Sequence, residues 1–328
     1  MSQESASGPI CPIYEYIKDN TKEGCLPEGF EVPWIKDIWA PGAHDGVALY
    51  HMVPIASAPD AERDQKILEA LKLMASENNG DHVNEVFAVF EELDKKDSIV
   101  RLYDPITRII AVHQKEMDLH TLLQFGDFLI CNGTSLLAVK LGLSVIAPFN
   151  APFVEDVATE FGVYDEFTYY AARILSDGCR PGSSAKLFEL AGNVKGWGRI
   201  HAVEWLEPET PEIRDWLLFE GANNTIDPQY SADVCLQKAE AEKRLECSLT
   251  ADEYAAIGKL IRESLVQGPC RGITDGERLL SKYIQKAQGF PADPELIRII
   301  LEAADEYSLN KNVVEEAKRL IPGGRYKK

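Results

Sequence analysis

Residues 196–220 read GWGRIHAVEWLEPETPEIRDWLLFE. Two helices fit into this stretch. The first opens on a Gly-Trp-Gly turn and runs over residues 197–206. The second begins behind Thr210-Pro211, where proline suits the first helical position because its missing N–H would have no partner there. Ile213 and Leu217 then follow at helical spacing. An Arg, a His, a Glu and two Trp fall within ten residues of the turn, so the stretch is either an active site or one layer of a repeated stack. Periodicity separates the two.

Ala172, Ala202 and Ala232 are spaced by 30 residues. Leu175, Trp205 and Cys235 keep the same interval, and Leu206 and Leu236 extend it. Val157, Leu187 and Leu217 repeat upstream, and Gly162 and Gly192, with Gly221 one residue early, stand where each first helix should end on a left-handed residue. A fainter copy, LHTLLQFGDFLICNGTSLLAVKLGLSVI, places Gly142 in the alanine column. Several columns on one period predict a unit of helix A, turn and helix B, in which alanine lets each B helix approach the next. The pattern resembles HEAT-like repeats of the short, 30-residue kind over residues 97–245. The fold expected is all-α, a HEAT-like α-solenoid of stacked helix pairs with a C-terminal helical cap.

Other helix starts are legible. Asp104-Pro105, Asp227-Pro228 and Asp293-Pro294 repeat the cap-then-proline pair, while Thr250-x-x-Glu253 and Thr274-x-x-Glu277 fit a capping box. Helices are expected near 61–78 and 80–95, and four more near 250–267, 275–288, 293–306 and 309–321. VALYHM (47–52) is the best strand candidate. The organisation expected is an irregular N-terminal segment, 1–60, with one short helix near Ile13 to Asn20; a helical-repeat array, 61–246; and a C-terminal bundle or cap, 247–328.

A formal charge of −19 repels phosphate backbones and anionic lipid, and the one basic clump is Arg325, Lys327 and Lys328. Neither nucleic acid nor membrane is expected as a partner; a protein or peptide, basic in character, is. Seven scattered Cys without a CxxC pair form neither a disulfide framework nor a zinc set. The start, MSQESASGPICPIYEYI, lacks a basic run before an apolar stretch, and no segment approaches 18 apolar residues, so a cytoplasmic location is expected.

Chemical motifs are sparse. His201 and Glu204, three apart, could form an acid–base pair, but His201 also stands four residues from both Trp197 and Trp205 and fits an aromatic ridge. HDGVALYH (44–51) could offer His44, Asp45 and His51 to a metal, although its Asp-Gly turn is the simpler account. GNVKGWG (192–198) lacks the P-loop Lys-Ser/Thr, and no Gly-x-Ser-x-Gly elbow occurs. No His is followed by Glu, the dipeptide of HEAT-like di-iron hydroxylases. No metal ligand set and no cofactor is expected.

The B helices carry an oddity. Residues two before and two after the alanine column are Tyr170 and Ile174, Ile200 and Glu204, Tyr230 and Val234, which is too apolar for a face bathed in water. Either the C-terminal helices cover it, or Tyr170, Ile200, His201, Glu204 and Tyr230, flanked by Arg173 and Arg199, line a groove that binds a protein or peptide. An alternative is an enzyme or small-ligand binder, with Arg199, His201 and Glu204 around a pocket between repeats and C-terminal helices. A third is burial of that face between subunits.

CPIYEYI, WAPGAHDGVALYHM, GWGRIHAVEWL and EIRDWLL together resemble a group of bacterial helical proteins, some of which carry a limonene hydroxylase label. Hydroxylation would need haem, flavin or non-haem iron. The sequence carries no haem-thiolate loop, dinucleotide fingerprint or facial triad, so the activity is not transferred.

Overall fold

The computed structural model describes residues 10–36, 39–52, 60–176, 182–291 and 293–321. All regular structure among them is helical, and no β-strand is formed. Contacts divide the chain into two compact units, 1–206 and 207–328. The basic tail residues Arg325, Lys327 and Lys328, and Cys179, lie outside the described residues.

Unit 1 begins with α1 (Ile13–Asn20), the short helix expected there. The segment beyond it is more ordered than composition suggests. VALYHM is not a strand: Val47 to Tyr50 belong to α2 (Ala43–Tyr50), which starts after Gly42 in the left-handed conformation, φ 77°. Its buried residues pair as Ala43 with Gly46 and Asp45 with Ala48, a spacing of three that suits a helix docked on one side.

Asp60 caps α3 (Ala61–Met74) by accepting from the N–H groups of Glu62 and Arg63. α4 (Val83–Asp97) and α5 (Tyr103–His113) follow. α5 starts two residues before Pro105, so Asp104 does not cap it; its carboxylate pairs instead with Arg173 at 2.6 Å. Ile67, Leu71, Met74, Phe90, Ile106, Leu122, Leu141 and Val145 share one core built from these helices and the next pair.

Three helix pairs then succeed one another. α6 (Leu119–Asn132) packs on α7 (Leu136–Ile146), α8 (Pro152–Gly162) on α9 (Thr168–Ser176), and α10 (Ser183–Asn193) on α11 (Trp197–Trp205). α9 also lies along α7 and α11, and α8 along α10. Ala172 and Ala202 are fully buried on the second helices of their pairs. Gly142, in the same column, faces its own partner helix: a Cβ there would lie 2.9 Å from Gly126 O. Gly162, Gly192 and Gly221 are not left-handed, contrary to expectation. Gly162 is small because Leu190 Cδ2 and Ala171 Cβ would stand 2.7 and 2.9 Å from a Cβ on it.

Unit 2 opens with α12 (Pro211–Trp216), capped by Thr210 as the sequence predicts, and continues as a π-helical turn over Leu217–Gly221. α13 (Gln229–Lys238) carries the fully buried Ala232. A short α14 (Ala241–Glu246), not foreseen, precedes the four C-terminal helices: α15 (Ala251–Leu265), α16 (Gly276–Lys286), α17 (Pro294–Glu302) and α18 (Lys311–Leu320). The Thr250–Glu253 capping box forms, and Asp293 caps α17. The box expected at Thr274–Glu277 does not: Asp275 is the N-cap, in the left-handed region at φ 53°, and the Thr274 N–H and hydroxyl both donate to Asp233.

Candidate functional site

The Gly-Trp-Gly turn is explained by what surrounds it. A Cβ on Gly198 would lie 2.6 Å from both Asp165 Oδ1 and Thr168 Oγ1. Asp165 occupies that space to accept from the backbone N–H groups of Gly196, Trp197 and Gly198, which closes the start of α11. Burial outweighs those hydrogen bonds and raises its carboxyl to about 6. Arg199, next in sequence, turns inward and donates to Val194 O at 2.8 Å and Gly192 O at 2.9 Å. Its guanidinium fastens the GNVKG loop.

Within unit 1 the outward face of α11 meets α2, and that of α9 meets Tyr103 of α5, whose ring lies 5.9 Å from that of Tyr169 and 6.0 Å from that of Tyr170. Gly42 N–H donates to Glu166 Oε2 at 2.6 Å, and Gly46 sits against the Trp197 ring. Tyr50 stacks beside Trp197 and His201 and donates to Glu204 Oε2 at 2.6 Å. Arg101 donates to the carbonyls of Ala48 and Met52, holding the far end of α2. Of the residues expected to line a groove, Tyr170, Ile200 and His201 are at most 1 % exposed. Arg173 lies over the rings of Tyr103 and Trp205. Glu204 is exposed and held by Tyr50. Tyr230 stands on α13 in unit 2, half-buried.

Beneath α2 lies a buried charge cluster that the sequence reading missed. Lys140 Nζ is 2.9 Å from Asp45 Oδ2 and 2.5 Å from Glu166 Oε1, and all three side chains are at most 7 % exposed. Burial pulls the ammonium down, but the two carboxylates outweigh it and hold its pKa above the usual value. Burial raises Asp45 to about 6, against the attraction of Lys140. One signal was available: Lys140 is the sole charge in the apolar run LLAVKLGLSVI, and a charge there demands a partner. Its partners come from 95 residues upstream and 26 downstream, distances that no local pattern reveals.

His201 lies nearby, and burial together with the Lys140 charge lowers it to about 3, so the ring is neutral. Neither ring nitrogen has a hydrogen-bond partner, and Tyr170 Oη has none either. His201 and Glu204 are therefore not an acid–base pair. The aromatic setting expected for His201 forms with Trp197, Tyr50 and Tyr169. The His44 ring is tilted at 50° against Trp39, 5.4 Å away, and Asp45 is taken by Lys140, so HDGVALYH does not converge. Among the described residues no three His, Cys, Asp or Glu side chains gather as a metal-binding group.

One open concavity of unit 1 lies elsewhere. α1, α8 and α10 enclose a cleft of about 260 Å³. Its lining includes Val163 and the nearly buried Leu190, with Lys18, Glu160, Lys186, Glu189 and Asn193. The α10 members, Lys186, Glu189, Leu190 and Asn193, follow helical spacing and share one face. Glu160 accepts from Tyr14 at 2.5 Å, Lys18 stands 3.4 Å from the Tyr14 hydroxyl, and Lys186 faces Glu155 and Asp156. Neither family models, nor curated proteins, nor solved structures give a match to this chain.

Proposed function

We propose that the chain is a HEAT-like helical-repeat scaffold that binds a protein or peptide, and that unit 1 binds through the cleft between α1, α8 and α10. Successive helix pairs with buried small residues at their contacts support the repeat reading. The observation that carries the binding reading is a contrast between two faces. The face of α9 and α11 is filled by α2 and by Tyr103 of α5, whereas the α1–α8–α10 cleft stands open. Clefts with an apolar base and a few polar groups are where side chains of a partner are received. Residues 1–206 carry 31 acidic and 17 basic side chains, which favours a cationic partner through long-range attraction.

Site-specific photo-cross-linking in cells tests the assignment. Benzoylphenylalanine at Thr159 or Lys186 should label one discrete partner segment, identified by mass spectrometry, whereas the same group at the exposed Val112 should not. Equal labelling from Val112, no labelling from the cleft, or labelling of a second copy of this chain would overturn it.

A further inference from the structure

The ground on which α2 rests is polar and incompletely satisfied. We infer that α2 is a lid: it opens as a unit of its own while α7, α9 and α11 stay folded, and its opening uncovers the Trp197 indole, the His201 ring and the Lys140 ammonium. The inference is independent of the α1–α8–α10 cleft.

Little apolar surface holds α2 down. Its buried residues are Ala43, Asp45, Gly46 and Ala48, so it buries no apolar side chain larger than a methyl group; Val47, Leu49 and Tyr50 are half-buried. By contrast α9 buries Tyr169, Tyr170, Ile174 and Leu175, and α11 buries Trp197, Ile200 and Val203. Stabilisation scales with the apolar area removed from water, and segments poor in it open first.

Polar links supply the rest of the attachment. Gly42 N–H donates to Glu166, Asp45 pairs with Lys140, Tyr50 donates to Glu204, and Arg101 donates to the carbonyls of Ala48 and Met52. Each of these groups can exchange its partner for water, so the net loss on opening is far smaller than the bond itself. Two groups gain by it. Asp45 recovers the hydration lost on burial, while Lys140 keeps Glu166 at 2.5 Å. His201, whose ring nitrogens have no hydrogen-bond partner, loses the Tyr50 ring from one face and meets water. The aromatic ridge of Trp197 and His201 is thus a face that the chain can cover or present.

Hydrogen exchange of the full chain, followed by NMR at one pH in urea too dilute to unfold it, tests the lid. The amides of Gly46 to Tyr50 should be less protected than those of α9 and α11 by about tenfold or more. They should also respond more weakly to urea, because their opening exposes less surface. Tyr50→Phe keeps the ring and removes the bond to Glu204; it should speed exchange in α2 by about threefold or more and leave α11 unchanged. Acylation of the His201 imidazole by diethyl pyrocarbonate, mapped by mass spectrometry, distinguishes a lid from a fraying helix. Its rate should rise in Tyr50→Phe by the same factor as α2 exchange. Equal protection and equal urea response in α2 and α11, acceleration of both helices alike by Tyr50→Phe, or a His201 rate that does not follow α2 exchange would overturn the inference.

Discussion

Gly46 of α2 lies so close under Trp197 that a Cβ on it would stand 2.2 Å from Cε3 and 2.3 Å from Cζ3 of the indole. The helix reaches α11 by having no side chain at that point. An alanine would favour helix by about 1 kcal/mol, but the ring cannot recede through a packed interior. Gly46→Ala should therefore cost about 1–3 kcal/mol, the range for overpacking. Gly192, inside α10 with nothing within 4 Å of a Cβ built on it, is the control. Gly192→Ala should stabilise by about 0.5–1 kcal/mol. Urea unfolding of both variants, followed by tryptophan fluorescence, checks the pair.

Lys140 is the charge on which the α2 contact depends. Lys140→Met keeps the volume but leaves Asp45 and Glu166 buried without their cation. Removing one member of a buried ion pair costs about 3–5 kcal/mol, so the variant should unfold at markedly lower denaturant. A loss under about 1 kcal/mol, the scale of an exposed pair, would show that the cluster does not hold α2 in place.

Stability should respond to pH through buried groups of opposite sign, His201 on one side and Asp45 and Asp165 on the other. His201 is lowered to about 3 in the folded chain, against roughly 6.5 when unfolded. Its contribution is complete above about pH 6.5 and is lost as pH falls toward 3. Asp45 is raised to about 6, against roughly 3.9 when unfolded. Its contribution is complete below about pH 4 and is lost as pH rises through 6. Between about pH 7 and pH 4 the His201 effect is on the order of 3 kcal/mol, since a tenfold change in proton affinity is worth about 1.4 kcal/mol. His201→Phe should flatten the acid side of the stability profile by that order; an unchanged profile would contradict the buried neutral ring.

In unit 2, Thr250→Ala removes a capping box and should cost about 1 kcal/mol. The same change at Thr274 should act through Asp233 rather than through a helix end, so the double variant Thr274→Ala, Asp233→Ala should lose little more than Asp233→Ala alone. A double-mutant cycle by thermal unfolding measures the difference.

The sequence by itself determined most of the helices, though not α2 or α14. Thr210, Asp293 and Thr250 act through backbone groups two or three residues away, and amphipathic spacing is a property of one helix at a time, so both are legible in a linear string. The burial of the alanines at 172, 202 and 232 was legible too, because each stands among apolar residues of its own helix. Tertiary structure alone decided what meets those helices. That α2 covers α11, that Lys140 finds Asp45 and Glu166, and that α1, α8 and α10 border one cleft each join segments far apart in the chain. Such contacts are chosen by shape and charge in three dimensions, and a residue's neighbours in sequence carry no record of them.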